Sequence, residues 1–232
     1  MTSGTTSETQ SQELAVIRRR IAFEQLKNAT ASLSPDGHDV VLQGLTVNTQ
    51  QLVLLADTGV LGLRPVLAMT SAPRPGGPAP QGMSADLWHW YETLDCSELL
   101  VEQPSEQIAA CQWDDSREYA LDASVLDRTS VASAGASVSP QGTDQLDIQL
   151  TSEGAARLRT LTITLAGSGR QVAVTVDGFV CAALVIKQPI ADGRLQITGD
   201  FGTGMTQSLA AMLDSGPLPA PLASARGPES IH

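Results

Sequence analysis

Apolar and polar residues alternate at Val172, Val174 and Val176, the period-two signature of a strand with one buried face. Asp177-Gly178 interrupts the alternation. An Asp-Gly pair between two apolar runs predicts a tight hairpin, because the turn that matches strand twist needs positive φ at both central positions. Phe179 to Ile186 then returns as the second strand. Beyond Pro189, Asp192-Gly193 marks another turn, Leu195 to Thr198 a third strand, and Met205 to Asp214 a helix with Met205, Leu209, Met212 and Leu213 on one face. Gly216 predicts the C-cap of that helix, and Pro217 prevents its continuation.

The same reading extends through the rest of the chain. Leu14 to Asn28 predicts a helix with Leu14, Ile17 and Ile21 on one stripe and Arg18-Arg19-Arg20 on a solvated one. Strands are expected at Thr30 to Leu33 and Asp39 to Gln43, around a turn at Ser34 to His38. Asn48 predicts the N-cap of a helix through Asp57 with Leu52 and Leu55 inward, followed by a strand from Val60 to Leu67. The segment 69–84 is rich in Pro and Gly and reads as a linker. Ala85 to Thr93 predicts a helix with Leu87, Trp90, Tyr91 and Leu94 on one face. Tyr119 to Leu126 and Val131 to Val138 read as strands, and Gln145 to Leu150 alternates with Leu146, Ile148 and Leu150 inward. Thr151 predicts the N-cap of a helix to about Ala166 through Ala155, Leu158, Leu161 and Leu165. The order of elements defines an α+β protein, a mainly antiparallel sheet carrying helices.

Four ordered motifs carry a resemblance: Val176-Asp177-Gly178, Pro189-Ile190, Ile197-Thr198-Gly199-Asp200-Phe201, and Gly216-Pro217-Leu218-Pro219. They resemble the head of the large extracytoplasmic domain of SecD, a protein translocase subunit. The N-terminal part adds to it. Ala15-Val-Ile-Arg-Arg-Arg-Ile21 is similar to the Val-Ile-x-x-Arg-Val/Ile segment that opens the family's base, and Leu63-Arg64-Pro65-Val66 to the Arg-Pro-Val that ends it. Two departures stand in the motifs themselves, since the family usually has Pro where Leu184 stands and Ala where Pro217 stands. The implied organisation is a tether over 1–12, a ferredoxin-like base with helices on one face of its sheet over 13–68, the linker, a head over 85–219, and a tail over 220–232. The text around Cys96 and Cys111 resembles an insert of actinobacterial members with paired cysteines, which implies a disulfide between them. A bridge closing a loop of about 15 residues contributes on the order of 3 kcal/mol and suits an oxidising space outside the cytoplasm.

Composition narrows the chemistry. A formal charge of -11 argues against nucleic acid, whose phosphates need clustered cations. Aromatic residues make up only 3% of the chain, so the core must be built from Leu, Val, Ile and Ala. No stretch reaches the roughly 20 apolar residues that cross a bilayer, whereas the family resembled is embedded in the membrane. Thr2 to Gln12 has no apolar signal core and reads as the remnant of a tether, so contact with a membrane would come only through an anchor outside it. No catalytic set emerges. Gly167-Ser168-Gly169 is too short for a nucleophile elbow, and Gly199-Asp-Phe-Gly-Thr-Gly204 lacks the Lys of a phosphate loop. His89 has no second ligand at metal spacing, and Asp114-Asp115 has no His or Cys partner. Cys181 reads as a buried free thiol in mid-strand. Neither a metal nor a cofactor is expected, and no enzymatic activity.

The resemblance implies a mechanical role, the binding of unfolded or translocating polypeptide to assist export, with Sec translocon components as further partners. The holding surface would be apolar and exposed, built from Phe179, Leu184, Phe201 and Met205. The alternative is a stand-alone, membrane-tethered relative that binds another envelope ligand or partner, such as an envelope protein, and is not a translocation motor, which the non-apolar tail favours.

Overall fold

The computed structural model describes residues 5–35, 40–44, 55, 57–70, 83–96, 104–113, 116–126, 129–198 and 204–218. Among them are four helices, α1 (Thr5–Phe23), α2 (Ala85–Thr93), α3 (Ser152–Leu165) and α4 (Met205–Asp214). Ten strands accompany them: β1 (Thr30–Leu33), β2 (Val40–Gln43), β3 (Leu61–Thr70), β4 (Ile108–Cys111), β5 (Glu118–Leu121), β6 (Val131–Val138), β7 (Asp144–Leu150), β8 (Gln171–Val176), β9 (Phe179–Val185) and β10 (Arg194–Thr198). The fold is α+β with mainly antiparallel pairing. It divides into two compact units, one of residues 1–59, 134–146 and 200–232, the other of 60–133 and 147–199.

In the first unit α1 starts at Thr5, so the expected tether is helical from that point rather than disordered. The helix stops at Phe23, short of Asn28, because Gln25 turns into the left-handed region at φ 54. Val16, Ile17 and Ile21 pack with Ala31 of β1 and Leu218. Ala31 pairs with Leu42 in the β1–β2 ribbon. The arginine run is not uniformly solvated. Arg18 donates to the Ala31 carbonyl at 3.0 Å, and Arg20 is fully buried. Arg20 lies three residues after Ile17 and beside Ile21, which places it on the apolar stripe. Its guanidinium donates to the carbonyls of Leu55, Asp57, Thr58 and Gly216 and to Ser215 Oγ, at 2.6 to 3.5 Å. One side chain thus ties α1 to the 55–58 segment and to the end of α4. That helix ends as predicted, with Gly216 at φ 84 and its N–H donating to the Leu213 carbonyl at 3.4 Å. The helix predicted from Asn48 and the turn at 34–38 lie largely outside the described residues, as do most of the linker and all of the tail.

The second unit is built on a sheet in the order β4-β5-β3-β8-β9. Here the structure departs from the expected base. β3 does not pair with β1 or β2 but is the central strand of this sheet, antiparallel to β5 and β8, and the boundary expected at residue 68 falls inside it. Central placement explains its burial, with Leu61 to Pro65 all inaccessible. It also explains why Arg64, fully buried, must find internal acceptors: it donates to the carbonyls of Glu106 at 2.7 Å and Asp122 at 2.9 Å. β8 lies between β3 and β9, so residues 172–176 are buried on both faces rather than one. β4, only IAAC, ends at Cys111 in a stretch for which the sequence predicts no strand. The two outer strands meet at one point, a parallel bridge between Gln112 and Val180. The sheet therefore curls around Ile108, Ala110, Tyr119, Leu121, Ala173 and Val180.

α2 covers the outside of that sheet. Its buried residues are Leu87, Trp88 and Tyr91, while Trp90 is 39% exposed, so Trp88 takes the inward place expected of Trp90. At 3.6 residues per turn Trp88 and Trp90 lie about equally far, ~80°, from the Leu87–Tyr91 axis, so helical spacing alone does not choose between them. α3 begins at the predicted cap, the Thr151 hydroxyl accepting from the Gly154 N–H at 3.3 Å. Leu158 and Leu165 face inward as expected, but Thr162 rather than Leu161 completes the buried stripe.

Candidate functional site

The turn at Asp177-Gly178 has the predicted geometry. Both residues have positive φ, 49 and 86, and Val176 pairs directly with Phe179 across a two-residue loop. Asp177 does more than turn the chain. Its backbone N–H donates to the Val60 carbonyl at 3.0 Å, and its Oδ1 accepts from the Val60 N–H at 2.9 Å. This reciprocal pair pins the tip of the hairpin to the start of β3.

Phe179 leaves the turn half-buried and meets Trp113 edge to face, ring centroids 5.7 Å apart. Trp113 is held there by its own backbone, whose N–H donates to the Val180 carbonyl at 3.1 Å. The β8–β9 register shifts between Val174 and Thr175, which makes Cys181 the extra residue of a bulge. Cys181 takes part in no disulfide, as expected, but is half-buried rather than fully enclosed. Past the bulge Leu184 pairs with Val172 and is 43% exposed. Phe179 and Leu184 face Val176 and Val172, which are four residues apart, so both lie on one face of the sheet. Val185, on the opposite face, is 46% exposed and was not foreseen.

The other two expected surface residues fare differently. Met205 is only 4% exposed and lies in the core face of α4 in the first unit, so it is structural rather than an accessible surface residue. Its face of α4 is buried almost completely, which is what an apolar helix start achieves. Phe201 lies outside the described residues, as do the motif residues Gly199 and Pro219. Of the remaining motif residues, Pro189 is exposed and the Ile190 N–H donates to Thr162 Oγ1 at 3.0 Å. Ile197 is buried in β10. The Pro-Ile motif is thus an anchor to α3 through a threonine that the apolar pattern passed over.

Cys96 and Cys111 form a disulfide with their Cα atoms 5.8 Å apart. It joins the end of α2 to the end of β4, beside the cluster of Met83, Leu87, Trp88, Tyr91 and Leu94. Among the described residues no three His, Cys, Asp or Glu side chains converge on a metal-sized site. No helix among them is long and apolar enough to cross a membrane.

A curled antiparallel sheet, a covering helix and a pinned hairpin define an α+β domain. A solved structure reported as "Structure and function of a membrane component SecDF that enhances protein export" superimposes with a TM-score of 0.58 over 96% of this chain and 94% of that one, at 24% identity, a likeness of fold. Residues 104–220 match the family described as SecDF, P1 head subdomain, and the chain belongs to that family. The protein translocase subunit SecD of Acetobacter pasteurianus is 34% identical over 97 residues, 42% of this chain and 18% of that protein. SecD of Streptomyces coelicolor is 29% identical over 154 residues, 59% of this chain and 26% of that protein. The chain therefore spans about a quarter or less of these relatives.

Proposed function

We propose that this chain is an extracytoplasmic SecD-type domain that binds unfolded or translocating polypeptide and so assists protein export, without covalent chemistry of its own. The observation that carries this reading is the family membership of residues 104–220, whose relatives are protein translocase subunits. The second unit supplies a surface of suitable character. Phe179, Trp113 and Leu184 present apolar side chains that an unfolded chain can cover and a folded protein cannot easily reach. The disulfide suits an oxidising compartment. Translocon components are the natural neighbours of such a domain.

The test is titration calorimetry of the chain against a reduced, carboxymethylated protein that cannot refold, with the native form of the same protein as control. Saturable binding of the unfolded form alone is expected, weakened several-fold by Leu184→Ser, which changes an exposed side chain. Equal binding of both forms, or no heat at high micromolar concentration, would overturn the reading.

A further inference from the structure

Among the described residues the outer edge of β9 is closed at two places and open between them. At one end Gln112 bridges to Val180, and at the other the Ile186 carbonyl accepts from the Gly167 N–H at 3.2 Å. The sheet order ends at β9, so among the described residues Ala182 to Val185 pair with β8 alone. Neither face shields this stretch, because Leu184 and Val185 are exposed on opposite sides. Proteins that must keep an edge from pairing place Lys, other charges or Pro along it. FVCAALVI, from Phe179 to Ile186, has none of these, and the first charge is Lys187.

We infer that Ala182–Val185 takes up an extended segment of foreign polypeptide as an added strand, held by its backbone. This rests on the polypeptide-binding reading above and specifies how the binding is done. An open row of N–H and C=O groups is complementary to an extended backbone and to little else. The window is about four residues, near 13 Å of strand, so a short extended stretch fills it. Gln112 already lies along the same edge in parallel, and an incoming segment continues that line. A second copy of this chain is a poorer occupant, since each carries a formal charge of -11. Backbone pairing is indifferent to sequence, which suits a binder that meets many unrelated chains. The exposed Leu184 and Val185 add apolar contact on either side of the added strand.

The experiment uses a short apolar peptide, the same peptide N-methylated at alternate residues along one edge, and a version with scrambled side-chain order. Affinity is measured by calorimetry, and amide hydrogen exchange locates the contact. N-methylation is expected to weaken binding by about tenfold or more, while scrambling changes it by less than about twofold. Amides within 182–185 gain protection, and Leu184→Lys weakens binding to the same extent as N-methylation. If the N-methylated peptide binds equally well, or protection falls elsewhere, the edge is not the site although polypeptide binding stands. If no peptide binds, both readings fail. If 182–185 become protected with rising protein concentration alone, a second copy fills the edge and the inference is overturned.

Discussion

Two arginines that look alike in the sequence have opposite surroundings, and the difference sets what each can tolerate. Arg19 is exposed, while Arg20 spends its donors on four carbonyls and a hydroxyl in a site with no access to water. Removing the guanidinium takes a charged donor from each of these acceptors and leaves a cavity in its place. Arg20→Ala is therefore expected to cost about 3 kcal/mol or more, read as a lower denaturant midpoint, whereas Arg19→Ala should change it little. Arg20→Lys should recover less than half of the loss, because an ammonium cannot fork across the same acceptors. Glu24, four residues after Arg20 and just past the end of α1, is half-buried, and burial raises its carboxyl above the ordinary value of 4.5. The Arg20 charge and the nearby Ser208 hydroxyl pull the other way, the latter without making a full hydrogen bond. The sign follows from linkage: a carboxyl raised by folding holds its proton more tightly in the native state, so its contribution is present at low pH and is lost as pH rises through the folded value. Glu24→Gln should thus raise the melting temperature at pH 7 by up to about 2 °C and make no difference below pH ~4. A variant equally stabilised at both pH values would show that packing rather than charge is responsible.

Elements whose signals are local were legible; those defined by distant partners were not. The Asp177-Gly178 turn, the Thr151 cap and the Met205–Asp214 helix were readable because turn chemistry, a hydroxyl and a 3.6-residue stripe act within a few residues. The partners of β3 were not readable, since VLGLRPVL carries no information on whether it meets β1 or β8. β4 is too short to show a period, and only its burial by α2 and the disulfide gives it away. The arginine run could have been resolved by spacing, as Ile17, Arg20 and Ile21 share one stripe. For the candidate surface, Phe179 and Leu184 were visible as apolar positions near a turn. The bulge at Cys181 and the closure by Trp113 depend on a segment more than sixty residues away, as the separation of Val180 from Gln112 makes plain. The α2–β4 staple carries its own prediction. With its ends 15 positions apart in the sequence, reduction should cost on the order of 3 kcal/mol and lower the melting temperature by about 6 to 12 °C. Because the bridge anchors α2, near-ultraviolet signals from Trp88 should change with it. An unchanged melt after complete reduction would mean that α2 is held by apolar packing alone. At the hairpin, Asp177→Ala loses both the left-handed preference and the acceptor for Val60, an expected cost of about 1 to 2 kcal/mol, while Asp177→Asn should retain most of both.

For the whole molecule the dominant long-range feature is charge, 14 Lys and Arg against 25 Asp and Glu. That field acts before any apolar contact is made. It attracts cationic unfolded chains, repels acidic ones, and keeps copies of this protein apart, which matters for a molecule with an unguarded sheet edge. Beyond the Debye length of about 8 Å at physiological salt the field fades, so its effect belongs to the approach rather than to the complex. The contacts proposed for β9 are of the other kind, backbone hydrogen bonds and apolar burial at Leu184 and Val185, and salt should leave them largely intact. The two contributions can therefore be separated kinetically. Raising salt from about 20 to about 500 mM should slow association of a cationic unfolded probe by about tenfold and speed that of an acidic one, with dissociation of both changing by less than about twofold. Stopped-flow fluorescence with an acceptor on the probe measures both rates. If salt instead accelerates dissociation and leaves association unchanged, close ion pairs hold the complex, and a backbone-directed edge is the wrong description of the proposed binding.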